Sequence, residues 1–301
     1  MIIPPYLKPG DRIRIVSPAG KVQKDKVLPG IELLQDEGYE VMVGKHVFDK
    51  NFQYSGTDQQ RASDLQEAIN DPETKVIICA RGGYGSVRLL EKLDFSPLLK
   101  IPKLLVGFSD VTVLHSAFNK LGIASIHGAM PGFFIENKKP TRSFLSLMEL
   151  LTSGKSEIEV KPNPNNRSGN CSGELVGGNL SLIYALQGTP YQLDTSGKIL
   201  LIEDLSEYLY HLDRMMQNLR LAGQLSNLAG LVVGGFTDLK DNDSPFGKSA
   251  QEIILEAVQD YHFPVCFDFP VGHIPKNLAV MLGSNYLLEV AENTRLTRQM
   301  L

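Results

Sequence analysis

The chain has no tryptophan, only three cysteines and six histidines among 301 residues, and each scarcity excludes something. Cys79, Cys171 and Cys266 are scattered, odd in number and in no metal-ligand spacing, so neither a disulfide framework nor a metal site is expected, and the thiols are predicted to be buried and reduced. No continuous apolar stretch reaches membrane-spanning length. The opening segment Met1 to Gly10 also lacks the charged head, apolar run and small-residue cleavage site of a secretory signal, so a cytoplasmic protein without a membrane partner is expected. With a net charge of -4 and no Lys/Arg cluster, the chain has no electrostatic footprint for nucleic acid. Repeats and low-complexity runs are absent too. What remains is an ordinary globular composition, 43% hydrophobic and 21% charged, at a length that favours two domains over one.

The first half alternates β-like runs with amphipathic stretches, the pattern of βα units around a largely parallel sheet. Strands are expected over 12–16, 39–43, 75–80 and 103–108. Helices are expected over 24–37 and 61–70, with a further helix carrying Val87, Leu90 and Leu93 and another carrying Val111, Leu114, Phe118 and Leu121. Between 153 and 178 the composition shifts to proline, asparagine and other turn formers, most densely over 161–170. The expected division is therefore an N-terminal α/β domain over 1–155, a linker over 156–172 and a C-terminal α/β domain over 173–301. The second half resumes with a helix over 180–186, a strand over 198–202, a long helix carrying Leu209, Leu212, Met216 and Leu219, strands over 231–236 and 264–269, and a helix over 249–260 between them. The fold class is α/β: two open-sheet domains in series, the first a flavodoxin-like parallel sheet.

Ser109 follows a predicted strand and opens a predicted helix, in Gly107-Phe108-Ser109-Asp110-Val111. A serine on such a turn sits at the carboxyl edge of the sheet, where the first helical N–H groups point at any oxyanion it generates. The segment resembles a nucleophile elbow but has Val111 where the second glycine of G-x-S-x-G would stand, and on its own neighbours Ser109 reads as an N-cap. A nucleophilic serine needs a base. His273, in a loop between Gly272 and Ile274-Pro275, is the first choice, and His127, after an apolar run, the second. The base needs an acceptor in turn, and Glu203 at the end of an apolar strand suits that role, with Asp204 and Glu207 as rivals that equally fit the N-terminus of the next helix. The loop Arg81-Gly82-Gly83-Tyr84-Gly85 fits no P-loop and no G-x-G-x-x-G fingerprint. It suits an oxyanion hole, phosphate binding or a plain tight turn, with Arg81 placed to pair with a substrate carboxylate and Tyr84 counted beside it as substrate-binding.

Taken in order, Leu7-Lys8-Pro9-Gly10-Asp11 leading to Ser17-Pro18-Ala19, Arg81-Gly82-Gly83-Tyr84-Gly85, Gly107-Phe108-Ser109-Asp110, Glu203-Asp204-Leu205-Ser206-Glu207, and Gly272-His273 with Asn277 beyond resemble the LD-carboxypeptidases, the serine peptidase family that also contains the microcin C self-immunity peptidases. The resemblance implies a Ser-His-Glu triad of Ser109, His273 and Glu203, with the site at the domain interface. It also implies an oxyanion hole from the amide of Asp110 and that of Gly82 or Gly83, a homodimer, and no metal or cofactor. The implied reaction removes the terminal D-alanine of a murein tetrapeptide during cell-wall recycling. One departure is visible, since Leu278-Ala279-Val280-Met281-Leu282-Gly283 lacks the family's proline. The absence of tryptophan favours the murein branch over adenylate-cleaving immunity peptidases, which stack an aromatic ring on a nucleotide. Outside enzymology, the alternative is a non-catalytic two-domain module that binds a small acid.

Overall fold

β-Branched runs supply the central strands of the first half, where both faces of a parallel sheet must be covered. In a computed structural model that describes residues 1–300, the first unit comprises Met1–Lys155 together with Leu278–Gly283. Its elements are β1 (Arg12–Val16), α1 (Lys24–Asp36), β2 (Glu40–Val43), α2 (Asp58–Asn70), β3 (Thr74–Cys79), β4 (Leu104–Gly107), α3 (Thr112–Lys120), β5 (Ser125–His127), the small hairpin β6 (Ile135–Glu136) and β7 (Lys139–Pro140), and α4 (Arg142–Ser153). Strands β2-β1-β3-β4-β5 lie side by side and parallel, which is the flavodoxin-like order. The sheet reverses direction of growth at β1, so the loops after β1, β3 and β4 emerge together at its carboxyl edge. α2 starts on a capping box in which Thr57 and Gln60 satisfy each other's backbone N–H groups, and α4 stops at Gly154 in the left-handed region.

The second unit comprises Ser156–Asn277 and the segment from Ser284 onward. Its elements are β8 (Glu157–Val160), β9 (Gly169–Asn179), α5 (Leu180–Ala185), β10 (Ile199–Leu205), α6 (Leu209–Leu221), β11 (Gly230–Thr237), α7 (Ala250–Ala257) and β12 (Val265–Cys266), then β14 (Asn285–Val290) and β15 (Thr294–Arg298). The sheet order is β12-β11-β10-β9-β14-β15-β8, parallel from β12 to β9 and antiparallel beyond. One core gathers Leu200, Ile202, Leu231 and Val233 from the sheet with Leu212, Met216 and Ile253 from the helices.

The domain reading differs from these units in two places. β8 and the start of β9 fall inside the stretch read as linker, and its turn formers are pinned to the second unit: Asn163 Nδ2 donates to Asp268 at 2.5 Å, Asn165 Nδ2 to Gln251 at 2.6 Å, and Arg167 to the Tyr261 carbonyl at 2.5 Å. The segment 278–283, read as part of a continuous C-terminal domain, contributes β13 (Val280–Leu282), which pairs antiparallel with β5 in the first unit. Two helix expectations shift as well. The stretch carrying Val87 and Leu90 is a 3-10 helix over Ser86–Lys92, and α3 is preceded by a 3-10 turn over Ser109–Val111. Spacing by three residues fits a 3-10 helix as well as an α-helix.

Candidate active site

In the first unit β4 ends at Gly107, Phe108 stays extended with φ -152°, and Ser109 turns into the left-handed region with φ 65°. Left-handed backbone costs a residue with a Cβ roughly 1–2 kcal/mol. No side chain caps the helical turn that follows, so the N-cap reading of Ser109 does not hold. A strained serine on a strand-to-helix turn is the geometry of a nucleophile elbow. Over it lies the loop after β3. A Cβ on Gly82 would stand 2.8 Å from Ser109 Cβ and 3.0 Å from its Oγ, so only glycine allows this approach. Gly20, from the loop after β1, donates its N–H to the Gly82 carbonyl at 3.0 Å. Among the described residues, no backbone carbonyl accepts from the amides of Gly82 or Gly83. Arg81 donates to the Lys21 carbonyl at 2.7 Å and lines a cavity of about 360 Å³ with Val22, Lys26 and Phe133, while the exposed Tyr84 packs against Tyr54 at 6.2 Å between ring centroids.

In the second unit β10 continues through Leu205, so Glu203 and Asp204 both lie within the strand, past the 198–202 bounds expected for it. Glu203 is fully buried, and its Oε2 accepts from His273 Nδ1 at 2.7 Å. A carboxylate can only accept, so the proton sits on Nδ1 and Nε2 carries the lone pair of a base. The loop bearing His273 is built for closeness. Gly272 has φ 98°, and a Cβ there would stand 2.5 Å from Glu203 Oε2. Asn277 Oδ1 accepts from Gly272 N at 2.9 Å, Thr237 Oγ1 donates to the His273 carbonyl at 3.2 Å, and Gly235 N donates to the Val271 carbonyl at 3.0 Å.

The rivals separate cleanly. Asp204 faces away from His273 and accepts from Asn179 Nδ2, Ser181 N and Leu205 N, each at 2.9 Å. Glu207 pairs with His211 at 2.6 Å, one helical turn along. His127 is wholly buried on β5, with its ring 5.9 Å from that of Phe108. His115 holds the end of β4: its Nε2 donates to the Gly107 carbonyl at 3.0 Å and its Nδ1 accepts from Ser125 Oγ at 2.8 Å. Burial pushes its pKa down to about 3, which keeps the ring neutral. The first unit thus brings together Ser109, Asp110, Gly82 and Gly83, and the second brings together Glu203 and His273. Among the described residues, no cluster of His, Cys, Asp and Glu could hold a metal ion, and no helix is long and apolar enough to cross a membrane. All three cysteines are free, and Cys79 and Cys266 are buried.

Sequence reasoning missed Arg61. Its guanidinium is fully buried and donates to the carbonyls of Pro18 and Gly85, the latter at 3.0 Å. The signal was present: on α2 it occupies the apolar stripe of Leu65, Ala68 and Ile69, where a charge is out of place.

Residues 13–128 match the LD-carboxypeptidase N-terminal domain and residues 172–288 the LD-carboxypeptidase C-terminal domain. A probable murein peptide carboxypeptidase of Bacillus subtilis is 32% identical over 295 residues, which cover 97% of this chain and 92% of that protein. The microcin C7 self-immunity protein MccF of Escherichia coli is 25% identical over 330 residues, covering 97% and 94% of the two chains. Among solved structures, muramoyltetrapeptide carboxypeptidase from Oxalobacter formigenes superposes with a TM-score of 0.87 at 30% identity, over 96% of this chain and 99% of that one.

Proposed function

The chain belongs to the LD-carboxypeptidase family of serine peptidases, and from that premise we propose that it releases the terminal D-alanine of murein tetrapeptides, with Ser109 as nucleophile, His273 as base and Glu203 as the acid that orients it. The observation that carries the reading is Ser109 itself, held left-handed at the end of a parallel strand beneath a glycine loop. In the second unit the Glu203–His273 pair supports it, because the pair fixes the tautomer that general-base catalysis needs.

The chemistry follows from these roles. His273 Nε2 takes the proton of Ser109 Oγ as the oxygen bonds to the carbonyl carbon before the D-residue. The amides of Asp110 and of Gly82 or Gly83 donate to the oxyanion. Collapse breaks the C–N bond, and the imidazolium returns its proton to the departing amine of D-alanine. Water, deprotonated by the same imidazole, then cleaves the acyl-enzyme and frees the shortened peptide. Arg81 is placed in this scheme as a partner for a substrate carboxylate, and Tyr84 as a further substrate contact. A homodimer acting in cytoplasmic cell-wall recycling belongs to the same proposal.

The test is mass spectrometry of products from defined murein tetrapeptides, run beside an aminoacyl sulfamoyl adenylate. Loss of one D-alanine from the tetrapeptide, with the adenylate intact, is expected. Turnover of the adenylate alone would move the protein to the MccF side of the family, for which a chain without tryptophan lacks the largest stacking residue.

A further inference from the structure

Two fully buried ionisable side chains of the first unit, Arg61 and Asp110, lie outside the proposed triad. Arg61 is buried and joins three segments: Nη1 donates to the carbonyls of Pro18 and Gly85, Nη2 donates to Asp58 at 2.5 Å, and the guanidinium lies 4.9 Å from the centre of the Tyr54 ring. Asp110, one residue after Ser109, is fully buried, and its Oδ2 accepts from Ser86 N at 2.7 Å. Burial drives its carboxyl pKa upward, while bonds from Ser86 and Gly85 and the charge of Arg61 oppose that shift. Burying two charges costs several kcal/mol per ion, and well-packed apolar residues often serve stability equally well. The pair therefore calls for a use beyond stability.

Its placement supplies one. The glycine loop is held from behind at three points: the Gly82 carbonyl by Gly20, the Gly85 carbonyl by Arg61, and the Ser86 N–H by Asp110. The amides of Gly82 and Gly83 are left out of this backbone bonding. One of the three anchors belongs to the nucleophile's own turn, so the loop is registered directly against Ser109. We propose that the Asp110 side chain, with Arg61 behind it, is a positioning element that keeps the Gly82–Gly83 amides aligned with Ser109 for the oxyanion. This rests on the assignment of Ser109 as nucleophile, and it matters because a misplacement of about 1 Å costs on the order of 10²-fold in rate.

The experiment compares Asp110→Ala and Asp110→Asn with the full-length parent, measuring D-alanine release and inhibition by a peptidyl boronate that becomes tetrahedral on the serine. Asp110→Ala is expected to lower kcat by about 10²-fold with KM within about twofold, and to weaken the boronate in step, as loss of one oxyanion donor does. Asp110→Asn, whose side-chain oxygen still accepts from Ser86, should recover kcat to within about fivefold of the parent. A kcat within about threefold of the parent for Asp110→Ala, or a loss of kcat with boronate affinity unchanged, would overturn the proposal. Should Asp110→Ala fail to fold, Arg61→Lys probes the same loop from its other anchor. It keeps the charge but loses the planar guanidinium that bonds two carbonyls through Nη1 and Asp58 through Nη2, and about a tenfold fall in kcat with weaker boronate binding is expected, no change being contrary. Ser109→Ala, assayed in parallel, separates the failures. Turnover by that variant removes the nucleophile assignment, whereas an inactive Ser109→Ala beside a normal Asp110→Ala removes only the positioning role.

Discussion

The unit that carries Ser109 and the unit that carries Glu203 each place an aspartate one residue after the side chain proposed for the triad. Both aspartates are buried, and both accept a backbone N–H from the first turn of the helix that follows a neighbouring strand, that of Ser86 for Asp110 and that of Ser181 for Asp204. Their electrical surroundings are opposite. Asp110 lies in the field of buried Arg61, which favours its charge. Asp204 has carboxylates for neighbours, and burial, with Glu203 and Glu207 adding to it, pushes its pKa up to about 7 against three hydrogen bonds that favour ionisation. One hydrogen-bonding device thus serves two ends. The first unit sets its aspartate near a cation and uses it to hold a loop of backbone amides, although burial still raises its pKa. The second gathers acid around Glu203, and the like charges oppose the ionisation that the pairing with His273 favours.

The largest expected effects test whether both halves serve one reaction. Ser109→Ala should cost on the order of 10⁶ in kcat and Glu203→Gln about 10⁴, as for the corresponding members of other triads. A Glu203→Gln enzyme close to the parent in turnover would remove Glu203 from the triad and leave His273 without its orienting acid. Next come the two close-approach glycines. Gly82→Ala drives a Cβ against Ser109 and should lower kcat by about 10²–10³ with little change in Tm. Gly272→Ala meets both a left-handed φ and the Glu203 carboxylate, so it should depress Tm as well as kcat. The contrast between a rigid loop and a strained one breaks if Gly82→Ala proves the more unstable.

Asp204 gives a smaller, pH-dependent signal. Its carboxyl pKa is raised from 3.8 to about 7 in the folded chain, so the folded state binds the extra proton between those values. The stability from this group is complete below the unfolded pKa and is lost as pH rises through about 7. Urea unfolding of parent and Asp204→Asn at pH 5 and pH 8 should therefore show the parent losing ground at the higher pH, by on the order of a kcal/mol or more. A pH-independent difference would contradict the raised pKa. The smallest effects belong to the matched capping boxes, Thr57 with Gln60 on α2 and Ser249 with Glu252 on α7. Thr57→Ala and Ser249→Ala should each cost about 1 kcal/mol of stability in thermal unfolding and leave kcat unchanged.

Much of this was legible in the chain. β3 and β4 announced themselves as β-branched and apolar runs because a parallel sheet buries both faces, and Ser109 and Glu203 were found at or near strand ends. The sequence preferred Glu203 to Asp204 only by its place after an apolar run, since the separation depends on which side chain the Gly272–His273 loop meets. Gly234-Gly235 inside β11 was a missed hint, as paired glycines in a strand mark another backbone lying close, here that of Val271. β13 was out of reach for a different reason. Its three residues carry no local sign that their partner is β5, more than 150 positions earlier. Arg61 and Asp110 were visible as residues but not as a pair, because the link runs through the backbone of a third segment.

The central claim is that Ser109 is the nucleophile and that His273 activates it. Peptide mapping by mass spectrometry after treatment with a fluorophosphonate tests it most directly. A single adduct on Ser109, formed far more slowly in His273→Ala, is the predicted result. An adduct on another serine, or no adduct in protein that still releases D-alanine from the tetrapeptide, would contradict it.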